Sequence, residues 1–204
     1  MATIKPVDDG RIVFTGLKYM YITPWEKDEE GKLTLSTTTY EIVNIVGDTT
    51  SLEQEDNDVQ EIEHEFSDTP LYEAVTLGKK TFTAECADYQ QEVLVNLFGW
   101  EVKGDAVVAP SGYKEFFAAI ELGFNSTNEV VVLPKVRLDS KIALASMKTD
   151  ISRATISGST YQAYAKVGGG NEFKTDMFIS KASFAEGAES TYTLSNAPTA
   201  TAGA

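Results

Sequence analysis

The chain has 204 residues, of which 42% are hydrophobic, and its 31 acidic and 17 basic side chains give a formal net charge of −14. This acidity disfavours binding to nucleic acids or anionic membranes, because the average surface repels phosphate groups. His64 and Cys86 are the only histidine and cysteine, so Ser-His-Asp catalysis, Cys-His catalysis and zinc sites lack the side chains they need. We therefore expect a protein that is not an enzyme, with no catalytic residues, no metal, no cofactor and no small-molecule substrate.

No segment approaches the roughly 18 consecutive apolar residues that a membrane helix requires. The first ten residues, MATIKPVDDG, contain no apolar run like that of a secretory signal. We therefore expect a protein made in the cytoplasm, with no membrane partner.

Short segments rich in Val, Ile, Thr, Phe and Tyr alternate with Gly, Asn, Asp and Pro along most of the chain. This pattern predicts a mainly β fold, an antiparallel β-sandwich or barrel. The predicted strands cover 11–21, 33–46, 58–66, 80–87, 100–108, 114–124, 129–138, 141–156, 159–166 and 172–180. With long loops at 22–32 and 47–58, they form one predicted β domain of residues 1–181.

The first of these loops carries Trp25, followed by Glu26, Lys27 and Asp28. A tryptophan in a polar loop either folds back onto its own domain or meets another chain. Both interpretations stand at this point, and the four residues are candidates for a contact between subunits.

The densest charge lies in residues 53–68, where eight of sixteen positions are acidic. Glu61, Glu63 and Glu65 alternate with Ile62, His64 and Phe66, so a regular strand would place the three carboxylates on one face. That face is either an ordinary solvated sheet surface or a functional acidic surface.

One helix is predicted to begin at Asp88, whose carboxylate can cap the first turn, and to end at Gly99. Its apolar stripe is Val93, Leu94, Leu97 and Phe98, spaced to pack on a sheet. The preceding strand places Phe82, Ala84 and Cys86 inward, so Cys86 is expected to be a buried hydrophobic side chain rather than a nucleophile.

The end of the sequence, residues 182–204, is rich in Ala, Ser, Thr and Gly. Tyr192 and Leu194 are its last sizeable apolar residues. We expect a low-complexity and partly disordered tail there.

Several segments together resemble the tail tube, or major tail, proteins of long-tailed bacteriophages and related prophages. They are EIEHEF at 61–66, KTFTAECA at 80–87, DYQQEVLVNLFG at 88–99, FFAAIELGF at 116–124, VVLPKVRL at 131–138 and TISGSTYQAY at 155–164. The resemblance covers roughly residues 10–180. Its most characteristic part is a Thr-Phe-Thr strand followed at once by an acidic helix that ends near Phe-Gly.

The resemblance implies a β-sandwich or barrel with one helix, whose copies join into hexameric rings that stack into a hollow tube for DNA ejection. It also implies contacts with a tape-measure protein and a tail terminator, and a place in the virion. An acidic lumen would let DNA pass through without sticking. Glu61, Glu63 and Glu65 are the candidates for lining it, and the loop with Trp25 is the candidate for reaching a neighbouring subunit.

Two other functions fit the same pattern, and a third, an enzyme that uses paired carboxylates, would have to show a cleft with two facing acids. A type VI secretion tube protein shares the ring-forming architecture but delivers effectors instead of DNA. A secreted carbohydrate-binding or adhesin domain would also be all-β, but it should bring an export signal and exposed aromatic platforms.

Overall fold

A computed structural model of the protein describes residues 14–42, 45–47, 49–64, 67–87, 91–109, 115–143, 153–184 and 191–198. These residues form sixteen β-strands and one α-helix. In chain order they are β1 (Leu17–Lys27), β2 (Leu33–Leu35), β3 (Tyr40–Ile42), β4 (Ser51–Gln54), β5 (Asp58–His64), β6 (Ser67–Thr76), β7 (Lys80–Cys86), α1 (Gln91–Phe98), β8 (Glu101–Lys103), β9 (Ala106–Val108), β10 (Phe116–Phe124), β11 (Val130–Ala143), β12 (Arg153–Tyr161), β13 (Ala163–Val167), β14 (Phe173–Thr175), β15 (Phe178–Ser180) and β16 (Tyr192–Ser195).

The chain divides into two compact units, each built from separate stretches of sequence. The first unit takes Met1–Val43, Phe117–Lys135 and Tyr161–Ala204, and the second takes Asn44–Phe116 and Val136–Thr160. The sequence predicted one β domain instead. A strand such as β11, which the division cuts after Lys135, carries no local signal of this boundary.

In the first unit the strand order is β2–β1–β10–β11, with β3 also pairing to β1 and β15 pairing to β11. A smaller sheet in the same unit has the order β14–β13–β16. Buried side chains such as Met20, Ile22, Ile120 and Val132 form the core of the first unit. Strand β1 alternates in burial at its start and is then buried continuously from Ile22 to Trp25, so this stretch is covered on both faces.

In the second unit the strand order is β11–β12–β7–β4. Strand β12 along its whole length, and β7 from Thr81 onward, alternate between half-buried and buried residues. Phe82, Ala84 and Cys86 are buried as the sequence predicted. The alternation places one face of this sheet in the core and leaves the other face more accessible to solvent, which is typical of antiparallel sheets.

Helix α1 follows β7 closely, as predicted. Leu97 and Phe98 are buried, and Gly99 has a positive φ of 67°, which a glycine adopts without steric cost. The amide of Trp100 then donates to the carbonyl of Leu94 at 3.1 Å, and this bond closes the end of the helix. The predicted cap, Asp88, lies outside the described residues.

The chain is therefore mainly β, with antiparallel sheets and one short helix in a sandwich-like fold, as the sequence predicted. Several boundaries differ from the prediction. Residues 130–143 form one long strand, whereas the sequence predicted one strand at 129–138 and the start of another at 141, because Asp139 and Ser140 continue β11 rather than interrupt it. The segment predicted as one strand at 33–46 contains the two short strands β2 and β3.

The predicted loops at 22–32 and 47–58 are wrong in extent. Strand β1 runs through to Lys27, since its residues from Met20 to Trp25 find partners on β3, β10 and β2. Only the turn at 28–32 separates β1 from β2. Strand β4 occupies part of the second predicted loop and pairs with β7 from Ser51↔Thr83 to Gln54↔Lys80.

The predicted boundary between residues 181 and 182 is also wrong. Ala182, Ser183 and Tyr192 are buried, and β16 pairs with β13 from Tyr164↔Ser195 to Val167↔Tyr192. Residues 182–184 and 191–195 are thus part of the first unit, because they bring apolar and hydroxyl groups to its interior. Residues 199–204 lie outside the described residues.

Candidate interaction surfaces

A strand that the sequence analysis missed, β6, pairs with β5 to form a two-stranded sheet. Its sequence, SDTPLYEAVT, contains polar residues and Pro70 near its start, and such residues are typical of a turn. Proline is tolerated in strands whose amide edge has no partner. We call β5 and β6 together the distal ribbon.

The distal ribbon continues the register of β4 and β7. Four residue steps separate Gln54 from Asp58 on one side, and four separate Thr76 from Lys80 on the other. The two ladders therefore belong to one long antiparallel hairpin, with no residue inserted at the junction between them. Between them, the amide of Glu55 still donates to the carbonyl of Lys79 at 2.9 Å.

The junction between the two ladders is tight. A Cβ atom on Gly78 would lie 1.9 Å from the carbonyl oxygen of Glu55, so only glycine allows this approach of two backbones. The amide of Gly78 donates to Oδ1 of Asn57 at 3.1 Å. A side chain thus replaces one backbone bond at the place where the main sheet ends and the distal ribbon begins.

Apolar side chains are exposed next to this junction, which is the root of the distal ribbon. Val59 and Val75 are paired directly across the two strands and both are exposed, as is Leu77, which is 70% exposed. Exposed acidic side chains surround them: Glu53, Glu55, Asp56 and Asp58, with Lys79 as an exposed base. An apolar cluster with a charged rim is the usual composition of a protein interaction surface.

Two of the three candidate lumen residues, Glu61 and Glu63, lie on β5, and Glu65 lies outside the described residues. Glu61 pairs with Glu73 across the ribbon. The register shifts between Ile62 and His64, as at a β-bulge, and such a shift breaks the two-residue period on which the predicted carboxylate row depends. The assignment of these residues to a lumen stays a prediction.

The four candidate subunit-contact residues are placed by the hairpin of β1 and β2. Trp25 is buried, and its indole Nε1 donates to the carbonyl of Pro134 at 3.0 Å. Trp25 therefore folds back onto its own unit, and its predicted place in a loop is wrong. Glu26 and Lys27 are exposed at the end of β1.

Asp28 forms the turn itself. Its Oδ1 accepts hydrogen bonds from the amides of Glu30 at 3.1 Å and Lys32 at 2.7 Å, and Gly31 adopts a positive φ of 80°. These bonds fix a tight acidic turn at the end of the hairpin.

A feature of the first unit that sequence analysis did not single out is Glu121, which is 1% exposed in the middle of β10. Its Oε1 accepts hydrogen bonds from the hydroxyl of Tyr19 at 3.2 Å and from the hydroxyl of Ser183. Its Oε2 accepts from the amide of Phe184 at 2.8 Å and from the hydroxyl of Tyr192 at 2.7 Å. An ionised carboxylate offers about four lone-pair sites, and all of them are filled here.

We call these five residues the Glu121 cluster. It joins β1 and β10 to the segment at 182–184 and to β16. Burial, followed by the charge of Glu121, raises the pKa of Tyr192 above its ordinary value; burial is also the main cause of a raised pKa at Tyr19. Both phenols are held in the neutral form that donates to the carboxylate. The sequence does contain one signal for this cluster. Glu121 is the single acid inside the apolar run FFAAIELGF, and a charged side chain that is buried needs hydrogen-bond partners.

Two further exposed apolar side chains lie in the first unit, on β14 and β15. Phe173 is exposed, and its ring meets the ring of Phe178 edge-on with centroids 5.5 Å apart. Ile179, next in sequence, is also exposed. Lys174 and Lys181 are exposed in the same segment.

Comparison with known proteins gave no relative from which to argue function. No protein-family model matches the chain, and no curated protein matches it. The described residues contain no cluster of three or more metal-ligating side chains. No helix among them is long and apolar enough to cross a membrane. The described residues define a mainly β protein with exposed apolar side chains at the root of the distal ribbon.

Proposed function

We propose that this protein is a structural, non-enzymatic tail tube subunit of a bacteriophage or prophage. Its copies assemble into stacked hexameric rings, and the stack is the conduit through which DNA leaves the virion. The subunit is made in the host cytoplasm and functions in the tail. The proposal combines the resemblance of the segments quoted above with the mainly β architecture and the exposed surfaces.

The observation that carries the proposal is the distal ribbon. A two-stranded sheet on its own is only marginally stable in water, and the strand edges and exposed valines of β5 and β6 resemble an unfinished interface. A ribbon that gains a partner on assembly would be stabilised by it. A ring-forming subunit requires such a surface.

The charge of the chain supports a role in conducting DNA. A net charge of −14 gives a wall that repels the phosphate backbone, so DNA passes without specific contact. Glu61, Glu63 and Glu65 remain our candidates for the lumen. A tube structure at residue resolution that turned these side chains away from the channel would contradict the assignment.

The partners follow from the proposed role. A tape-measure protein would occupy the tube during assembly, and a terminator protein would bind its last ring. Both are implied by the resemblance to tail tube proteins. DNA itself is a transient and non-specific passenger.

Negative-stain electron microscopy of the concentrated protein, alone and with tape-measure and terminator proteins from a candidate phage, tests the proposal. We expect hollow rings or tubes. The matched control replaces residues 58–76 by an Asn-Gly turn, which joins β4 and β7 as a short hairpin. It should give a folded subunit that forms no rings. Wild-type protein that stays monomeric under every condition would refute the proposal.

A further inference from the structure

We infer that one face of the distal ribbon, at its root, binds a basic and apolar segment of a protein other than this chain. This inference goes beyond the proposed self-assembly, because the partner is not a second copy. It concerns one face of the ribbon and leaves the strand edges of β5 and β6 for contacts between copies. We call this face the root face. Its positions are Glu53, Glu55, Asn57, Val59 and Glu61 on one side of the hairpin and Glu73, Val75, Leu77, Lys79 and Thr81 on the other.

The register of β5 and β6 defines the outer half of the root face. Val59 pairs with Val75, and Glu61 pairs with Glu73 two residues further along both strands. Residues two apart in a strand lie on the same face. The register shift in β5 begins only beyond Glu61, so both pairs belong to one regular ladder.

The same alternation continues toward the main sheet. Glu53 pairs with Thr81 on β7, and the amide of Glu55 donates to the carbonyl of Lys79 at 2.9 Å. Leu77 lies between Lys79 and the valine pair, at the same two-residue spacing. The root face is therefore one continuous surface along the hairpin, and it does not depend on any contact between the two units.

The centre of the root face is apolar and exposed. Val59 is 46%, Val75 53% and Leu77 70% exposed. The three side chains are neighbours on one face, because the two valines are opposed and the leucine is next along the strand. Burying them against a partner removes apolar area from water, which is the main favourable term in protein association.

The charged positions of the root face are mostly acidic, and they select the charge of the partner. The acids are Glu53, Glu55, Glu61 and Glu73, and Lys79 is the single base among these ten positions. A surface of this sign favours a positively charged partner. A second copy, with 31 acidic and 17 basic side chains, is repelled on average, as are nucleic acids and anionic membranes.

A second observation also calls for positive charge. Glu61 and Glu73 occupy directly opposed positions, and like charges at such positions destabilise a sheet. The ribbon has only two strands and is marginally stable without a partner. A lysine or arginine of the partner would relieve this repulsion, so the acidic pair costs the free ribbon stability and contributes to binding.

Fluorescence anisotropy with labelled synthetic peptides tests the chemistry of the partner. One series keeps the leucine content constant while lysine is replaced stepwise by glutamate. A second series keeps lysine constant while leucine is replaced by serine. Peptides rich in both lysine and leucine should bind best, and either full replacement should weaken binding by at least about tenfold. Binding that ignores leucine, or that favours the glutamate peptides, would overturn the inference.

Substitution of the apolar centre tests the location. Val75→Ser with Leu77→Ser should weaken binding of the lysine–leucine peptide by at least about tenfold, because two exposed anchors are lost. The matched control is Val102→Ser with Val108→Ser, which changes two exposed valines of β8 and β9. It should bind like the wild type. Equal binding by both double variants would show that the peptide sits elsewhere.

The acidic pair gives a signature that a purely structural role would not produce. Glu61→Gln with Glu73→Gln should weaken binding about threefold to tenfold, yet amide hydrogen exchange in β5 and β6 of the free protein should become slower. Glu26→Gln with Glu29→Gln removes two exposed acids of the first unit and should change neither property. Unchanged binding by the first variant would contradict the role of the pair.

Two other occupants give distinct results. Calcium ions alone that slow exchange in β5 and β6 as much as the lysine–leucine peptide does would assign the root face to a metal and overturn the inference. Sedimentation in which the wild type self-associates and the Val75→Ser, Leu77→Ser protein does not would assign it to a second copy, with the same consequence.

The inference and the proposed function can fail separately. Hollow rings formed by a protein that binds none of the peptides would overturn the inference and leave the tail tube function standing. Peptide binding at the root face by a protein that stays monomeric under every condition would support the inference and refute the tail tube function.

Discussion

The Glu121 cluster and the distal ribbon handle their polar and apolar groups in opposite ways. In the cluster, a buried carboxylate is fully satisfied by hydroxyl and amide donors of its own unit. In the ribbon, valine and leucine side chains stand in water at the root of a two-stranded sheet. The first arrangement is complete within one subunit, and the second is the surface that we propose gains stability from a partner. Stability and assembly are therefore expected to depend on different residues.

The largest effect should follow from removing the carboxylate of the cluster. Glu121→Ala removes the carboxylate that accepts from the hydroxyls of Tyr19, Ser183 and Tyr192. We expect a loss of about 3–5 kcal/mol in the free energy of unfolding, because each orphaned buried group costs about 1–3 kcal/mol and some of them regain water in the space left. Urea unfolding followed by tyrosine and tryptophan fluorescence measures it.

Two variants calibrate this result. Glu115→Ala removes an exposed acid just before the same strand and should change the free energy of unfolding by less than about 0.5 kcal/mol. Glu121→Gln keeps an acceptor oxygen but turns an amide donor toward other donors, so its cost should lie between the two. A cost below about 1 kcal/mol for Glu121→Ala would show that the cluster does not hold β16 and residues 182–184 in place.

The second largest effect should follow from a substitution at the junction between the main sheet and the distal ribbon. Gly78→Ala places a methyl group against the carbonyl of Glu55, only 1.9 Å away, and the two backbones must separate. We expect a loss of about 1–3 kcal/mol, the usual cost of overpacking. Amide hydrogen exchange should rise in β4 to β7 but not in β16.

Gly47→Ala is the control, because a Cβ there meets nothing within 4 Å. If Gly78→Ala were as well tolerated as Gly47→Ala, the tight junction would be wrong. If Gly78→Ala left amide hydrogen exchange in β4 to β7 unchanged while lowering stability elsewhere, the interpretation of β4 to β7 as one continuous hairpin would be wrong.

Local patterns in the sequence were enough to predict much of the fold. The alternation of Phe82, Ala84 and Cys86 predicts the buried face of β7, and Gly99 predicts the end of α1. Both signals come from residues close in sequence. Strand β6 escaped prediction because its strongest local features, Ser-Asp-Thr-Pro, are those of a turn, and its pairing with β5 is what makes it a strand.

The candidate sites were harder to predict because their partners are distant in sequence. The carbonyl that accepts from Trp25 lies 109 positions away, at Pro134, so the sequence left the inward and outward interpretations of Trp25 equal. Glu121 meets Tyr19 across 102 positions and Tyr192 across 71. No local period relates these residues, and only the folded sheet brings them together.

The smallest effect concerns the phenols of the cluster and depends on pH. The pKa of Tyr192 is raised in the folded protein, chiefly by burial and then by the charge of Glu121. A group with a raised folded pKa stabilises the fold below its unfolded pKa, about 10 for tyrosine. This stabilisation is lost as the pH rises above 10, because the unfolded chain then releases the proton and the folded chain retains it.

We therefore expect the free energy of unfolding to fall above pH 10 by up to about 1.4 kcal/mol per pH unit for each such tyrosine. Tyr192→Phe removes one hydrogen bond, at a cost of about 1–2 kcal/mol at pH 7, but it also removes this titration. Its stability should decline less steeply than that of the wild type between pH 10 and 11.5. Equal slopes for wild type and Tyr192→Phe would mean that Tyr192 ionises freely in the fold, which its burial beside a carboxylate opposes.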